Sequence, residues 1–269
     1  MTSVSIDRTR TIVDLEGVWK RYASPDGGLD AVRDVDLAAR VGEFIAIVGP
    51  SGCGKTTVLR MIQGLEQPSG GHVRVTGGEP DSGRAEVGFV FQQPTLFPWW
   101  TVRQNVAFGL RLAVRSGRYS PAERDRRVSE MLALVGLERF ADYSPRQLSG
   151  GMQQRANLAR ALVIEPGVLL LDEPFSALDA LNKERLQVTL SALLAQLGTT
   201  AIMVTHDIRE AVFLGSRVVV MSARPGRITD TFDVDVPRPR STEFQRSTRL
   251  TEIAQQVYAS LRMTDDVVP

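Results

Sequence analysis

Hydrophobic and polar residues alternate between residues 11 and 40 in two segments, TIVDLEGVWKRY and AVRDVDLAAR, separated by the turn-rich Ser24-Pro25-Asp26-Gly27-Gly28. That pattern predicts antiparallel strands joined by a loop. The next run, Glu43-Phe-Ile-Ala-Ile-Val48, is apolar and strand-like; a glycine-rich turn and the helix-compatible TTVLRMIQGLE follow it. Short strands are expected at His72 to Thr76 and Glu86 to Phe91, and Arg103 to Leu137 carries helical spacing with a break at Ser116-Gly117. From Val168 the order becomes strand (VLLLD), helix (Lys183 to Leu197), strand (TTAIMVTH), helix (Ile208 to Leu214) and strand (RVVVM). Such alternation predicts an α/β fold with a mostly parallel sheet and helices on its faces. In the tail from Ser241 to Met263, Phe244, Leu250, Ile253, Val257 and Leu261 form one apolar stripe, as expected of a helix packed on the core.

Composition narrows the function more than the fold. The chain has 269 residues, enough for one large domain or two small ones, and its 43% hydrophobic and 23% charged residues argue against disorder or a disulfide scaffold. Its 32 basic and 31 acidic side chains leave a net charge of +1. No bulk field draws it to nucleic acid or anionic lipid, so any polyanion must be held locally. The single Cys53 excludes an intrachain disulfide, and MTSVSIDRTR lacks the apolar stretch of a secretory signal. A reducing cytoplasm fits best. Apolar runs such as Phe44 to Val48 fall far below the roughly 18 residues that span a bilayer, so work at a membrane requires docking through another protein.

The first chemical motif is Gly49-Pro50-Ser51-Gly52-Cys53-Gly54-Lys55-Thr56-Thr57, which matches G-x-x-x-x-G-K-[ST] between a predicted strand and a predicted helix. Gly49, Gly52 and Gly54 let the backbone bend so that successive N–H groups converge on phosphate oxygens, and the following helix aims its positive end at the same point. Lys55 is expected to neutralise the β and γ phosphates and the Thr56 hydroxyl to ligate Mg²⁺. Cys53 reads as a small residue filling a variable position, not as a nucleophile.

The second motif is Val168-Leu-Leu-Leu-Asp172-Glu173-Pro174, an apolar strand ending in two acids. Parallel sheets carry their ligands at the carboxyl ends of their strands. Asp172 is expected to hold Mg²⁺, and Glu173, pointing the opposite way, to polarise an attacking water. His206 follows another apolar strand, Ala201 to Thr205, and is expected at the same edge, donating to the γ phosphate. His72 has no assigned role.

Between these motifs, Leu148-Ser149-Gly150-Gly151-Met152-Gln153-Gln154-Arg155 resembles the signature of ATP-binding cassette (ABC) ATPases, with Met152 where the family usually has glutamine. Gln92 and the Ser176-Ala-Leu-Asp179 segment occur in the family's order, and the resemblance spans roughly residues 12 to 230. It implies a P-loop RecA-like core with a mostly parallel sheet, an N-terminal antiparallel β subdomain and an inserted α-helical subdomain at about 93–163, within an ATPase domain at 11–236 followed by a helical tail at 237–269. The cofactors implied are ATP and Mg²⁺. Tyr22 would stack on adenine, with Trp19 a weaker competitor, and Gln92 would serve both metal and catalysis. Ser149 with the Gly150 and Gly151 amides would bind the γ phosphate held by a partner subunit, and Asp179 would position groups across that interface.

The resemblance further implies a second ABC subunit, most simply an identical copy, and transmembrane permease subunits at the cytoplasmic face of the membrane. A periplasmic or extracellular solute-binding protein would take part indirectly. Gln93-Pro-Thr-Leu-Phe-Pro-Trp99-Trp100-Thr101 lies where family members receive the permease, although Phe97, Trp99 and Trp100 would equally fill a helical core. This stretch, the signature and Arg224-Pro-Gly-Arg-Ile228 are similar to importers for nitrate, sulfonate, taurine and related compounds. The alternatives are an importer for an unrelated solute and a nucleic-acid or ribosome-associated cassette, and for the latter neither a long coiled coil nor a second cassette is present. A purely ATP-sensing module is disfavoured by Glu173 and His206.

Overall fold

The computed structural model describes residues 10–23, 28–81, 87–115, 119–176 and 178–265. The predicted turn at 24–27, the first residue of the strand expected from Glu86, the Ser116-Gly117 break and Ala177 lie outside the described residues. Strands β1 (Thr11–Tyr22), β2 (Leu29–Arg40) and β4 (Gly70–Val75) form an antiparallel sheet in the order β2-β1-β4. A six-stranded sheet of β3 (Phe44–Val48), β5 (Val87–Val90), β6 (Val168–Asp172), β7 (Thr200–Thr205), β8 (Arg217–Met221) and β9 (Ile228–Asp233) runs in the order β5-β6-β7-β3-β8-β9. All its pairings are parallel except β8 with β9.

Residues along β3 divide between two cores, as the two-residue period of a strand requires. Ile45 and Ile47 join the core shared with the antiparallel sheet and α1 (Lys55–Gln63). Phe44, Ala46 and Val48 face the other core, built from α2 (Val102–Val106), α3 (Phe108–Arg115), α4 (Pro121–Leu134), α5 (Gly150–Leu162), α6 (Ala180–Leu197) and α7 (Ile208–Leu214). A strand covered on both faces has no polar side to show, which is why 44–48 reads as an unbroken apolar run.

Three elements differ from expectation. The helix expected from Lys183 begins at Ala180, because the Asp179 side chain caps it by accepting from the Asn182 amide at 3.1 Å. The tail is two helices, α8 (Thr242–Gln245) and α9 (Thr248–Asp265); Leu250, Ile253 and Val257 are buried as the stripe predicts. Strand β9 has no sequence signature, since ITDTFD lies at the sheet edge largely exposed to water and therefore lacks an apolar alternation.

The tail is anchored by Arg240, whose guanidinium is buried with no carboxylate in ion-pair contact among the described residues. Nη1 donates to the carbonyls of Val212 (2.6 Å), Phe213 (2.9 Å) and Gly215 (2.8 Å), while Nη2 donates to those of Val234 and Val236. Burial lowers its pKa to about 10, yet it remains charged at neutral pH and caps the negative end of α7. Arg240→Leu strands these carbonyls and is expected to lower unfolding free energy by about 3 kcal/mol, read as a shift in urea midpoint.

Candidate functional site

Parallel pairing brings the carboxyl ends of β3, β6 and β7 to one edge: Val48 is opposite Thr205, and Asp172 is opposite Val204. The next residues of each strand are the phosphate loop, Glu173 and His206. Gln92 follows β5, whose Val90 pairs with Leu171. Residues far apart in the chain therefore meet above one sheet edge.

The loop from Gly49 to Gly54 is closed too tightly for side chains at its glycines. A Cβ on Gly54 would lie 2.8 Å from the Ala31 carbonyl oxygen, and one on Gly49 would lie 2.8 Å from that of Met221. Gly54 also has φ +97°, a left-handed conformation that suits glycine. It caps α1 with no side-chain acceptor, leaving the helix's first amides directed at the loop. Lys55 is 6% exposed, and its Nζ donates to the Gly49 carbonyl at 2.7 Å and the Pro50 carbonyl at 2.8 Å. Among the described residues no carboxylate lies within ion-pair distance of it. Nζ also donates to Cys53 Sγ at 3.8 Å, and a buried ammonium held only by such neutral acceptors is matched to an anion from outside the chain.

A cleft of about 310 Å³ opens beside this loop, lined by Tyr22, Ser51, Lys55, Thr56, Glu173 and Arg224 among others. Tyr22 thus reaches the cleft, with Lys20 Nζ 5.1 Å from its ring centre. Trp19 does not line it: its indole packs against Gly70, its partner across β1 and β4.

The Thr56 hydroxyl donates to Asp172 Oδ1 at 3.0 Å. Burial raises the Asp172 pKa and the neighbouring Glu173 charge adds to this, opposed by the Thr56 bond. An alcohol and a carboxylate this close are a donor pair of the hard-oxygen type that Mg²⁺ takes, so the residues present fit that ion. Glu173 does not continue the strand. Its φ of +44° turns it into the left-handed region, an arrangement costing about 1–2 kcal/mol for an L-residue. Its amide donates to Val204 O at 3.0 Å, holding the turn against β7. Two further side chains converge on one oxygen of its carboxylate: Gln92 Nε2 donates to Oε2 at 3.3 Å, and His206 Nδ1 lies 3.2 Å from the same atom.

Burial raises the Cys53 thiol pKa, which disfavours thiolate and agrees with its reading as a filler. His72 is exposed on β4, away from this edge.

The signature forms a separate exposed site. Ser149 is the N-cap of α5, accepting from the Met152 amide at 3.3 Å, and Gly150 and Gly151 open the helix. Because that cap uses the backbone of Met152, its side-chain identity does not enter. None of the three signature residues lines the Lys55 cleft. A Cβ on Gly150 would meet nothing within 4 Å, and one on Gly151 nothing closer than 3.6 Å. Among the described residues, nothing demands glycine there. Asp179, the α6 cap, has its pKa lowered chiefly by the Asn182 amide bond.

Three residues escaped motif reasoning. Arg224, which lines the cleft, donates from Nε to Gly52 O at 2.7 Å and fastens the phosphate loop. Gln154, 3% exposed, donates to Pro174 O at 2.7 Å and links the signature helix to the residue after Glu173. Lys183 pairs with Asp207 and Glu210 beside His206. The available signals were Arg224 in a segment read only as a family marker, and polar residues on the buried faces of otherwise ordinary helices.

Residues 32–176 match the ABC transporter family model. The chain is 42% identical over 239 residues to a nitrate import ATP-binding protein of Synechocystis sp., covering 89% of this chain and 87% of that one. It is 42% identical over 214 residues to a taurine import ATP-binding protein of Pelagibacter ubique, covering 79% of each. Among solved structures, a dimeric ATP-binding cassette in a post-hydrolysis state, bound to ADP and Pi, superposes with a TM-score of 0.72 at 36% identity, covering 84% of this chain and all of that one.

Proposed function

This chain belongs to the ABC transporter family, and on that premise we propose that it is the ATP-hydrolysing subunit of an importer for a small solute such as nitrate, sulfonate, taurine or a related compound. The observation that carries the catalytic reading is the convergence of Gln92 and His206 on Glu173 Oε2, next to the Thr56–Asp172 contact. In this reading the loop amides and Lys55 bind the triphosphate, Tyr22 takes the adenine, and Glu173 accepts a proton from the attacking water. Gln92 and His206 orient that carboxylate, and His206 donates to the terminal phosphate. Mg²⁺, held by Thr56, Asp172 and Gln92, would neutralise charge on the phosphate oxygens.

Hydrolysis needs two chains in this proposal. The exposed amides of Gly150 and Gly151, with the Ser149 hydroxyl, form an anion site at a helix start, and the open space over Gly150 leaves room for a nucleotide carried by a second copy. Asp179 serves the same interface. ATP bridges two copies, and loss of the γ phosphate releases them.

Among the described residues no helix is long and apolar enough to cross a membrane. Attachment to a permease at the cytoplasmic face is assigned to the aromatic cluster of Phe97, Trp99, Trp100 and Phe108. Its rings pack at 4.6–5.7 Å while Trp99 stays 73% exposed. The solute is chosen by that permease and an external binding protein.

Gly150→Asp tests the two-chain site. An acid in the first turn of α5 favours the helix itself, so the fold should be at least as stable, whereas its charge opposes a phosphate at that point. Turnover is expected to fall about 10²-fold or more. ATP should still bind the single chain, and ATP-dependent dimers should disappear in sedimentation. Parental turnover by this variant would remove the signature from the reaction.

A further inference from the structure

The residues on either side of His206 belong to one partly buried polar network. Thr205 Oγ1 donates to Glu210 Oε2 at 2.6 Å and accepts from the Asp207 amide at 3.0 Å. Asp207 Oδ1 caps α7, accepting from the amides of Arg209 (2.9 Å) and Glu210 (3.1 Å). Its other oxygen, Oδ2, and Glu210 Oε1 both accept from Lys183 Nζ, at 2.7 and 2.6 Å. Glu210 is buried, and burial pushes its carboxyl above the ordinary range while the Lys183 bonds oppose the shift. The ionised network therefore depends on this ammonium.

Lys183 stands one turn into α6, and its amide donates to the Asp179 carbonyl at 2.9 Å. The same short stretch of helix carries the interface residue Asp179 at its cap and the cation that holds the His206 loop. We propose that Lys183 is a positioning residue: it fixes His206 against Glu173 from behind and ties that loop to the Asp179 end of α6. A shift of α6 when a partner docks on Asp179 then moves the His206 backbone through one rigid ion cluster rather than through solvent.

This rests on the ATPase reading above, so the test includes a measurement made without nucleotide. In Lys183→Met, kcat is expected to fall about tenfold while ATP affinity stays unchanged, because the displaced groups act on the reaction and not on the cradle. Lys183→Arg restores two-pronged pairing and should recover most of the rate. Asp207→Asn keeps an acceptor for the α7 cap and loses only its own ion pair, since Glu210 still holds Lys183, so it should lower kcat less than Lys183→Met does. In amide exchange on the nucleotide-free chain, Arg209 and Glu210 of Lys183→Met should exchange roughly tenfold faster, with β3 and β8 protected as in the parent. Parental kcat in Lys183→Met, unchanged protection at Arg209 and Glu210, or protection lost throughout β3 and β8 would each overturn the proposal. A parent chain that fails to hydrolyse ATP overturns the ATPase reading instead, and the exchange result still decides whether Lys183 holds the loop.

Discussion

Glu173→Gln should bind ATP with undiminished affinity and hydrolyse it roughly 10³-fold more slowly, the loss expected when a general base is removed. The substitution keeps the shape of the side chain, so Gln92 and the left-handed turn at residue 173 retain their places. What disappears is the capacity to accept a proton. Since bound ATP then persists, the two-chain complex should accumulate as a long-lived dimer, visible by sedimentation and reversed when ATP is withdrawn. Radiolabelled single-turnover hydrolysis gives the rate without interference from product release. Hydrolysis at the parental rate would dismiss Glu173 as the base. The site would then have to draw on Asp172, whose bond to Thr56 suits a metal ligand better.

For Lys55→Ala the predicted loss is in binding. Its ammonium is buried, without a carboxylate partner among the described residues, and held by two loop carbonyls. Removing a desolvated charge from a polyphosphate site costs about 3 kcal/mol, or roughly 10²-fold in Kd. Calorimetric titration in the Glu173→Gln background avoids turnover during the measurement. Thermal unfolding supplies a second readout, because a ligand that binds only the folded chain raises its midpoint. The nucleotide-free midpoint should change little, while the rise produced by ATP should largely vanish. ATP affinity equal to that of the parent would withdraw the phosphate cradle from residues 49–57.

Much of the site is legible in the linear order of the chain. The phosphate loop is readable because one contiguous stretch contains a strand, its glycines and the start of a helix, and α1 forms at Lys55 as that order predicts. Asp172 and His206 are readable because each ends a run of apolar residues, which places it at a strand terminus whatever the neighbouring strands are. The tail stripe holds as well: Leu250, Ile253 and Val257 are buried because helical spacing alone puts them on one face. The tilt of Glu173 is not legible. Strand alternation places it opposite Asp172, but the strand stops and a positive φ redirects the carboxylate toward Gln92 and His206.

Most strands and helices, the residues standing at their ends, and hence the class of chemistry available, follow from the linear chain, because local periodicity and backbone preference act over a few residues. Folding in three dimensions was needed to bring Gln92 to Glu173 across 81 positions and Thr56 to Asp172 across 116, and to set β3 between β7 and β8. It also locks Lys183, a cation with no motif around it, to the flank of His206. Those contacts depend on strand order and on which buried charges find partners, and both are settled by the packing of distant segments around a common core.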